Sequence, residues 1–332
     1  MNSRRFRGSD AELSNQAHAE KLGVGRDPGP KASARRTVSE MQSVVVGRGI
    51  PFAEGPVWCP DGTVVATSVA AGALFRVWPQ RGRVEQIADT RGGANGAALA
   101  ADGSILVTQN GGIDFSVLPG VFATFPASVP ATPGLQLAAL DGTVAYLADT
   151  APDGDFRGPN DLAITPDGAV YFTDPGHFPP AGDGKGRIMI YARDGSVTTF
   201  ADGFYYCNGI AFEPDGTVVV VERRGLQRVH GDGSRDWVNP KLGRGGGDGF
   251  CLDVDGRFYV ASTIEHGVRV VDPDGTVVEF LPIDGEGLTT NCCFGGDDLR
   301  TLFVTDAVPG DLVAFEGMPT AGLPLPVWPG AA

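Results

Sequence analysis

The chain has 332 residues and a formal net charge of −14 at pH 7. Its 49 glycines are roughly twice the usual share of ~7%, and 25 prolines add further turn formers. No run approaches the ~18 uninterrupted apolar residues of a membrane-spanning helix, and so acidic a chain repels phosphate backbones, which excludes a membrane span and nucleic acid as expectations.

Residues 1–40 are polar and basic, without a periodic apolar pattern, and read as a flexible tail ahead of a single domain over 41–332. No apolar stretch follows the basic start, so no secretory signal is visible. The five cysteines (Cys59, Cys207, Cys251, Cys292, Cys293) are scattered, with no CxxC pair. They read as small buried apolar residues in a reducing compartment, so a cytoplasmic protein is expected.

From residue 43 onward, short β-branched runs alternate with Asp-Gly and Gly-rich turns. The run 43–47 comes first, followed by 63–67, 104–109, 170–173, 217–221, 257–261 and 301–305. Helical periodicity is absent, which predicts an all-β fold. Each run after the first follows a turn aspartate: Asp61, Asp102, Asp167, Asp215, Asp255 and Asp298. Seven residues before each aspartate stand Glu54, Asn95, Asn160, Asn208, Asp248 and Asn291, all with oxygen-bearing side chains. The aspartates are 41, 65, 48, 40 and 43 residues apart, which suits four-stranded propeller blades of ~40–50 residues. Further Asp-Gly turns at Asp141, Asp194, Asp232 and Asp274 fit the outer hairpins. The repeat predicts a six-bladed β-propeller, with run 43–47 completing the last blade as its outer strand and removing an open edge.

In such a fold the first strand of each blade lines the central channel. The six residues therefore fall at one height near one mouth, where the loops at 110–133, 175–186, 223–226, 263–267 and 308–310 gather. The longest spacing places an insertion, DFSVLPGVFATFPASVPATPG, at that rim; its Phe115–Phe125 portion is a hydrophobic lid unlike a pocket for polyhydroxylated sugars. Two carboxylates and four amides, with no cysteine or histidine, suit one hard divalent cation in a central-channel metal site. Ca²⁺ ranks ahead of Mg²⁺ or Mn²⁺, and Zn²⁺ is a further alternative.

The motifs FAEGPVW (52–58), PNDLAITPDGAVYFTDP (159–175), CNGIAFEPDG (207–216), DGFCLDVDGRFYVA (248–261) and TTNCCFGG (289–296) follow one another in an order that resembles the regucalcin/gluconolactonase/luciferin-regenerating-enzyme family. The resemblance implies a six-bladed propeller that binds one divalent cation and, in many members, hydrolyses lactones of sugar acids. It implies Glu54, Asn208 and Asp248 as metal ligands, with Asn160 contacting substrate or metal. Gly158 stands where some sugar-lactone members carry an arginine, and Arg157 lies one residue further back. No clear match exists for the family's acidic substrate contact, for which only Asp183 lies nearby.

The mechanism expected of such a site is hydrolytic. The cation polarises the lactone carbonyl and acidifies a water, Asp248 takes the water's proton, and Asn160 assists at the oxyanion. Glu54 serves more purely as a ligand. No GxSxG elbow is present, which argues against covalent acyl transfer. Further candidates for substrate contact are Asn95, Arg157, His177, His266 and Asn291, whereas Tyr206 reads as packing and His18 as part of the tail. The expected partner is a small-molecule lactone, and the expected assembly a monomer or small homo-oligomer. The alternatives are a phosphotriesterase-like hydrolase on the same calcium ring and a non-catalytic metal-binding propeller. A metal-free propeller of the strictosidine-synthase type would have no use for the oxygen ring.

Overall fold

The computed structural model describes residues 41–176, 178–179 and 185–332. Strand β1 (Val44–Arg48) precedes the first sheet. Blade 1 comprises β2 (Ala53–Trp58), β3 (Val64–Ser68), β4 (Ala73–Trp78) and β5 (Arg83–Asp89). Blade 2 comprises β6 (Ala94–Leu99), β7 (Ile105–Gln109), β8 (Gly134–Ala138) and β9 (Val144–Ala148), followed by a ribbon of β10 (Thr150–Ala151) and β11 (Gly154–Asp155). Blade 3 comprises β12 (Leu162–Ile164), β13 (Val170–Asp174), β14 (Gly186–Tyr191) and β15 (Val197–Phe204). Blade 4 comprises β16 (Cys207–Phe212), β17 (Val218–Glu222), β18 (Gly225–Val229) and β19 (Arg235–Asn239). Blade 5 comprises β20 (Phe250–Leu252), β21 (Phe258–Ser262), β22 (Gly267–Val271) and β23 (Val277–Pro282). Blade 6 comprises β24 (Thr289–Gly295), β25 (Thr301–Asp306) and β26 (Asp311–Glu316), and β1 joins it as the outer strand, antiparallel to β26. The six-bladed propeller is therefore the fold, closed by the run at 43–47 as the repeat required.

The turns follow from local chemistry. Asp61 Oδ1 accepts from Thr63 N at 3.1 Å, Asp102 Oδ1 from Ser104 N at 2.9 Å and Asp215 Oδ1 from Thr217 N at 2.9 Å, each a side-chain turn that reverses the chain between first and second strands. Asp141, Asp194, Asp232 and Asp274 do the same for the outer hairpins. In blade 6, Leu299 occupies the position of the usual glycine and takes φ 54°, a conformation that L side chains adopt at a cost.

Second strands such as β3 and β17 are buried along their whole length, because each blade packs on neighbours at both faces. Outer strands such as β5 and β23 face solvent over much of their length. Apolar layers fill the gaps between blades: Val46, Ile50, Val64, Val77, Phe303 and Leu312 join blades 6 and 1, where Trp58 stacks on Phe303 at 5.6 Å. All five cysteines are buried with free thiols. Among the described residues no helix is long and apolar enough to cross a membrane.

Beyond blade 6 the chain crosses the turn-side face. Leu323 N donates to Leu252 O and Ala101 N to Trp328 O, both at 2.8 Å, so one segment ties blade 5 to blade 2 across the end of the channel remote from the ring. Trp328 is buried among blade 2 and blade 3 side chains.

Candidate functional site

Each first strand carries its ring residue at or just before its start. Glu54, Asn95, Asn208 and Asn291 lie within β2, β6, β16 and β24, while Asn160 and Asp248 stand two residues before β12 and β20. Pairing with the second strand slips at or next to the ring position, between Glu54 and Val57, Ala94 and Ala97, Cys207 and Ile210, and Thr289 and Asn291. Such bulges free a residue from the ladder and re-aim its side chain.

Two layers of second-strand side chains hold these segments. Threonines six residues after the turn aspartate donate to the ring residue of the next blade: Thr67 to Asn95 O, Thr108 to Asn160 O, and Thr173 to Asn208 O at 2.8 Å. In blade 6 the hydroxyl of Thr305 meets that of Thr290 at 3.0 Å, and Thr290 donates to Ala53 O at 2.7 Å. The residue after each threonine fixes the incoming segment of its own blade. Gln109 Oε1 accepts from Gly93 N at 2.6 Å, Asp174 Oδ1 from Arg157 N at 2.9 Å and Gly158 N at 2.7 Å, and Asp306 Oδ1 from Leu288 N at 2.9 Å. Glu222, in the same place, accepts from Tyr205 N at 2.9 Å and Tyr206 N at 3.3 Å. The ring is thus anchored from both sides before any ligand arrives, as a preorganised site requires.

Packing at the ring is close enough to dictate sequence. The residue after the ring position is glycine in blades 1, 2, 4 and 5 (Gly55, Gly96, Gly209, Gly249). A Cβ on Gly55 would stand 2.3 Å from Asn95 O, and one on Gly249 2.0 Å from Asn291 Cγ. Blade 6 has Cys292 at this position, and blade 3 has Asp161, whose carboxylate enters the channel. Asn291 Nδ2 donates to both of its oxygens, at 2.9 and 3.1 Å, and approaches Glu54 Oε2 at 3.5 Å. One amide therefore bridges carboxylates from blades 1 and 3 across the channel.

Asp161 was not singled out in the sequence because it lies one residue beyond the repeated offset, inside a PND stretch that reads as a turn. Its signal was an acidic residue where four of the six blades carry glycine.

Three carboxylates now share one buried space. Burial raises the Glu54 carboxyl well above its ordinary range, and the charges of Asp248 and Asp161 add to this against the Gly55 N–H and the Asn291 amide. Burial pushes Asp161 up to about 7. Asp248 is pushed up to about 8, first by desolvation and then by the charge of Asp161, although hydrogen bonds from Asn208 and Thr263 oppose the shift. Asp248 and Asn208 retain partial exposure, as groups lining a channel would. The side-chain oxygens of Asn95 and Asn208 are buried without a hydrogen-bond partner. Among the described residues no three histidines, cysteines or carboxylates come close enough to hold a metal ion by themselves, so a cation here would also draw on amide oxygens.

The SMP-30/gluconolactonase/LRE-like family matches residues 52–308. The chain belongs to this family. Gluconolactonase from Zymomonas mobilis is 24% identical over 336 residues, covering 90% of this chain and 88% of the relative. Pentonolactonase from Haloferax volcanii is 28% identical over 290 residues, covering 84% and 89% respectively. Among solved structures, a calcium-binding protein, regucalcin, from Agrobacterium tumefaciens superposes with a TM-score of 0.70 at 23% identity, covering 87% of this chain and 97% of its own. At that identity the superposition speaks for the fold alone.

The remaining candidates of this family member lie as follows. The Arg157 guanidinium pairs with Asp153 at 3.3 Å and bonds the Lys185 carbonyl, beside the fully buried Arg187, whose Nε donates to Asp174 Oδ2 at 2.7 Å. His266 is buried against Asp306, Nε2 to Oδ2 at 2.9 Å, with Nδ1 3.2 Å from Gly285 O. His18, His177 and Asp183 lie outside the described residues. Tyr206, two residues before Asn208, has its hydroxyl pushed upward by burial and then by the charges of Asp248, Cys207 and Glu54. Two surface clefts of about 460 and 400 Å³ lie along outer strands and share no residue with the ring.

Proposed function

We propose that this protein is a metal-dependent hydrolase that opens a lactone ring. The observation that carries the reading is the joining of Glu54 and Asp161 through Asn291 in a channel where Asn208 bonds Asp248 and the side-chain oxygens of Asn95 and Asn208 are buried without a partner. Buried carboxylates and orphaned carbonyl oxygens in one space form an all-oxygen donor set with uncompensated negative charge. That set fits a hard divalent cation, Ca²⁺ first. Glu54, Asn208 and Asp248 would hold it, with Asn160 alongside. The names of the gluconolactonase and pentonolactonase relatives support a lactone as substrate.

When bound, the cation would supply Lewis acidity towards a carbonyl oxygen and lower the pKa of a coordinated water. The chain's own groups do the rest. Asp248, the most open of the carboxylates, accepts the proton of the attacking water. Glu54 is held by the Gly55 N–H at 3.2 Å and by Asn291, which suits a fixed ligand. Asn160 is pinned at its backbone by Gly96 N at 2.8 Å and through its own N–H to Thr173 O at 2.8 Å, and its amide assists at the developing oxyanion.

The test is hydrolysis of γ-butyrolactone, an aldonolactone and an aryl lactone, as purified, after chelation, and after adding back Ca²⁺, Mn²⁺ or Zn²⁺. Chelation should abolish turnover and one of the ions restore it, while Asp248→Ala should lower kcat at least 10³-fold at any metal concentration. Absence of lactone turnover with every metal would overturn the reading, and turnover of a phosphotriester instead would assign the ring to phosphoester hydrolysis.

A further inference from the structure

Resting on the lactonase reading, the geometry points to a substrate class: we infer that the lactone carries an apolar substituent, aryl or alkyl, seated on an aromatic wall at the channel mouth. Phe52, two residues before Glu54, is the hub of that wall. Its ring centroid lies 5.2 Å from Phe115, 6.0 Å from Phe122 and 5.6 Å from Phe125. Phe122 continues the chain to Phe178 at 5.8 Å, and Phe178 to Tyr206 at 6.5 Å. One line of rings thus runs from blade 1 to blade 4, starting two residues before Glu54 and ending at Tyr206, two residues before Asn208.

Three features separate this wall from ordinary loop packing. Phe52 takes φ 50°, a left-handed conformation that is costly for a bulky side chain and persists where surrounding structure enforces it. The insertion that supplies Phe115, Phe122 and Phe125 runs from 110 to 133 with a single ionisable residue, Asp114. That carboxylate is occupied locally by Ser116, at 3.1 Å from its N and 2.5 Å from its Oγ. Finally, the wall is graded: Phe115 is fully buried as its base, whereas Phe52, Phe122 and Phe125 keep partly open faces and Phe178 is 38% exposed.

A polyhydroxylated lactone would have to desolvate its hydroxyls against this surface without gaining partners, which costs more than a hydrophobic face returns. An aryl or alkyl substituent instead gains offset and edge contacts with the rings. The residues beside Phe52 thus select the substituent, while the ring beneath acts on the ester.

The test compares kcat/KM for γ-butyrolactone, its γ-phenyl and γ-pentyl derivatives and D-glucono-δ-lactone, in the wild type and in Phe122→Ala and Phe178→Ser. The expected result is a preference of at least tenfold for the substituted lactones over gluconolactone in the wild type. Phe122→Ala should reduce that preference about tenfold through KM. Equal or better turnover of gluconolactone would overturn this inference and leave the lactonase reading standing. Failure to turn over any of the four would overturn both. The wild-type ratio decides the matter even if a variant fails to fold.

Discussion

At the scale of single residues, His266 shows how the mouth is held together. Its Nε2 faces Asp306 Oδ2, while the other oxygen of Asp306 holds Leu288 N three residues before Asn291. The hydrogen bond to Asp306, its charge, and the Gly285 carbonyl raise the imidazole pKa against the opposing effect of burial. A folded-state pKa above the unfolded value of about 6.5 means that this pair stabilises the fold fully below that pH and less as pH rises through the raised value. His266→Gln should therefore cost on the order of 1 kcal/mol more at pH 6 than at pH 9 in denaturant unfolding, the low end for a charge-assisted bond with some solvent access. A cost independent of pH would show that the pair is not charged in the fold. The histidine itself was visible in the sequence as a mouth-loop residue, but its partner was not, because Asp306 lies 40 positions away on another blade.

At the scale of the strand, the ring depends on how closely neighbouring first strands approach. Gly55 has φ 32°, and a Cβ there would lie 2.3 Å from Asn95 O, a backbone atom with no freedom to move away. Gly216, on a turn with φ 89°, has open space around the same position. Gly216→Ala should cost about 1 kcal/mol from backbone conformation alone, whereas Gly55→Ala should cost ~3 kcal/mol or more, measured by chemical denaturation. Equal costs would mean that the inner strands part more easily than their spacing implies. The strands themselves were legible because aspartate side chains close each turn through neighbouring N–H groups, a chemistry that sequence displays directly. The threonine bonds between blades, and the carboxylates and amides that fix each incoming segment, depend on pairing across the ring and leave no mark within a short window. Asp161 was hidden for the same reason, since only the crowding of first strands explains why glycine is the rule beside the ring.

At the scale of the whole molecule, six loosely similar units line a shared channel with their ring residues, and blade 3 adds Asp161. The segment after blade 6 spans the turn-side end, and an aromatic wall flanks the mouth. β1 completes the last blade as its fourth, outer strand, so the start of the propeller is tied to its end. The repeated offset made Glu54, Asn95, Asn160, Asn208, Asp248 and Asn291 readable as one set, but not the division of labour among them. Asn291 faces the carboxylates with its amide nitrogen, and its oxygen accepts from Cys292 N at 2.8 Å, so it positions Glu54 and Asp161 through hydrogen bonds. That division bears on the central claim that the channel holds one divalent cation.

The most direct measurement is calorimetric titration of Ca²⁺ into the chelator-treated protein and into Glu54→Gln and Asp248→Asn. One ion per chain, with affinity reduced at least tenfold in each variant, is the predicted result. No binding of Ca²⁺, Mn²⁺, Mg²⁺ or Zn²⁺ by the wild type, or binding unaltered by both substitutions, would contradict the account.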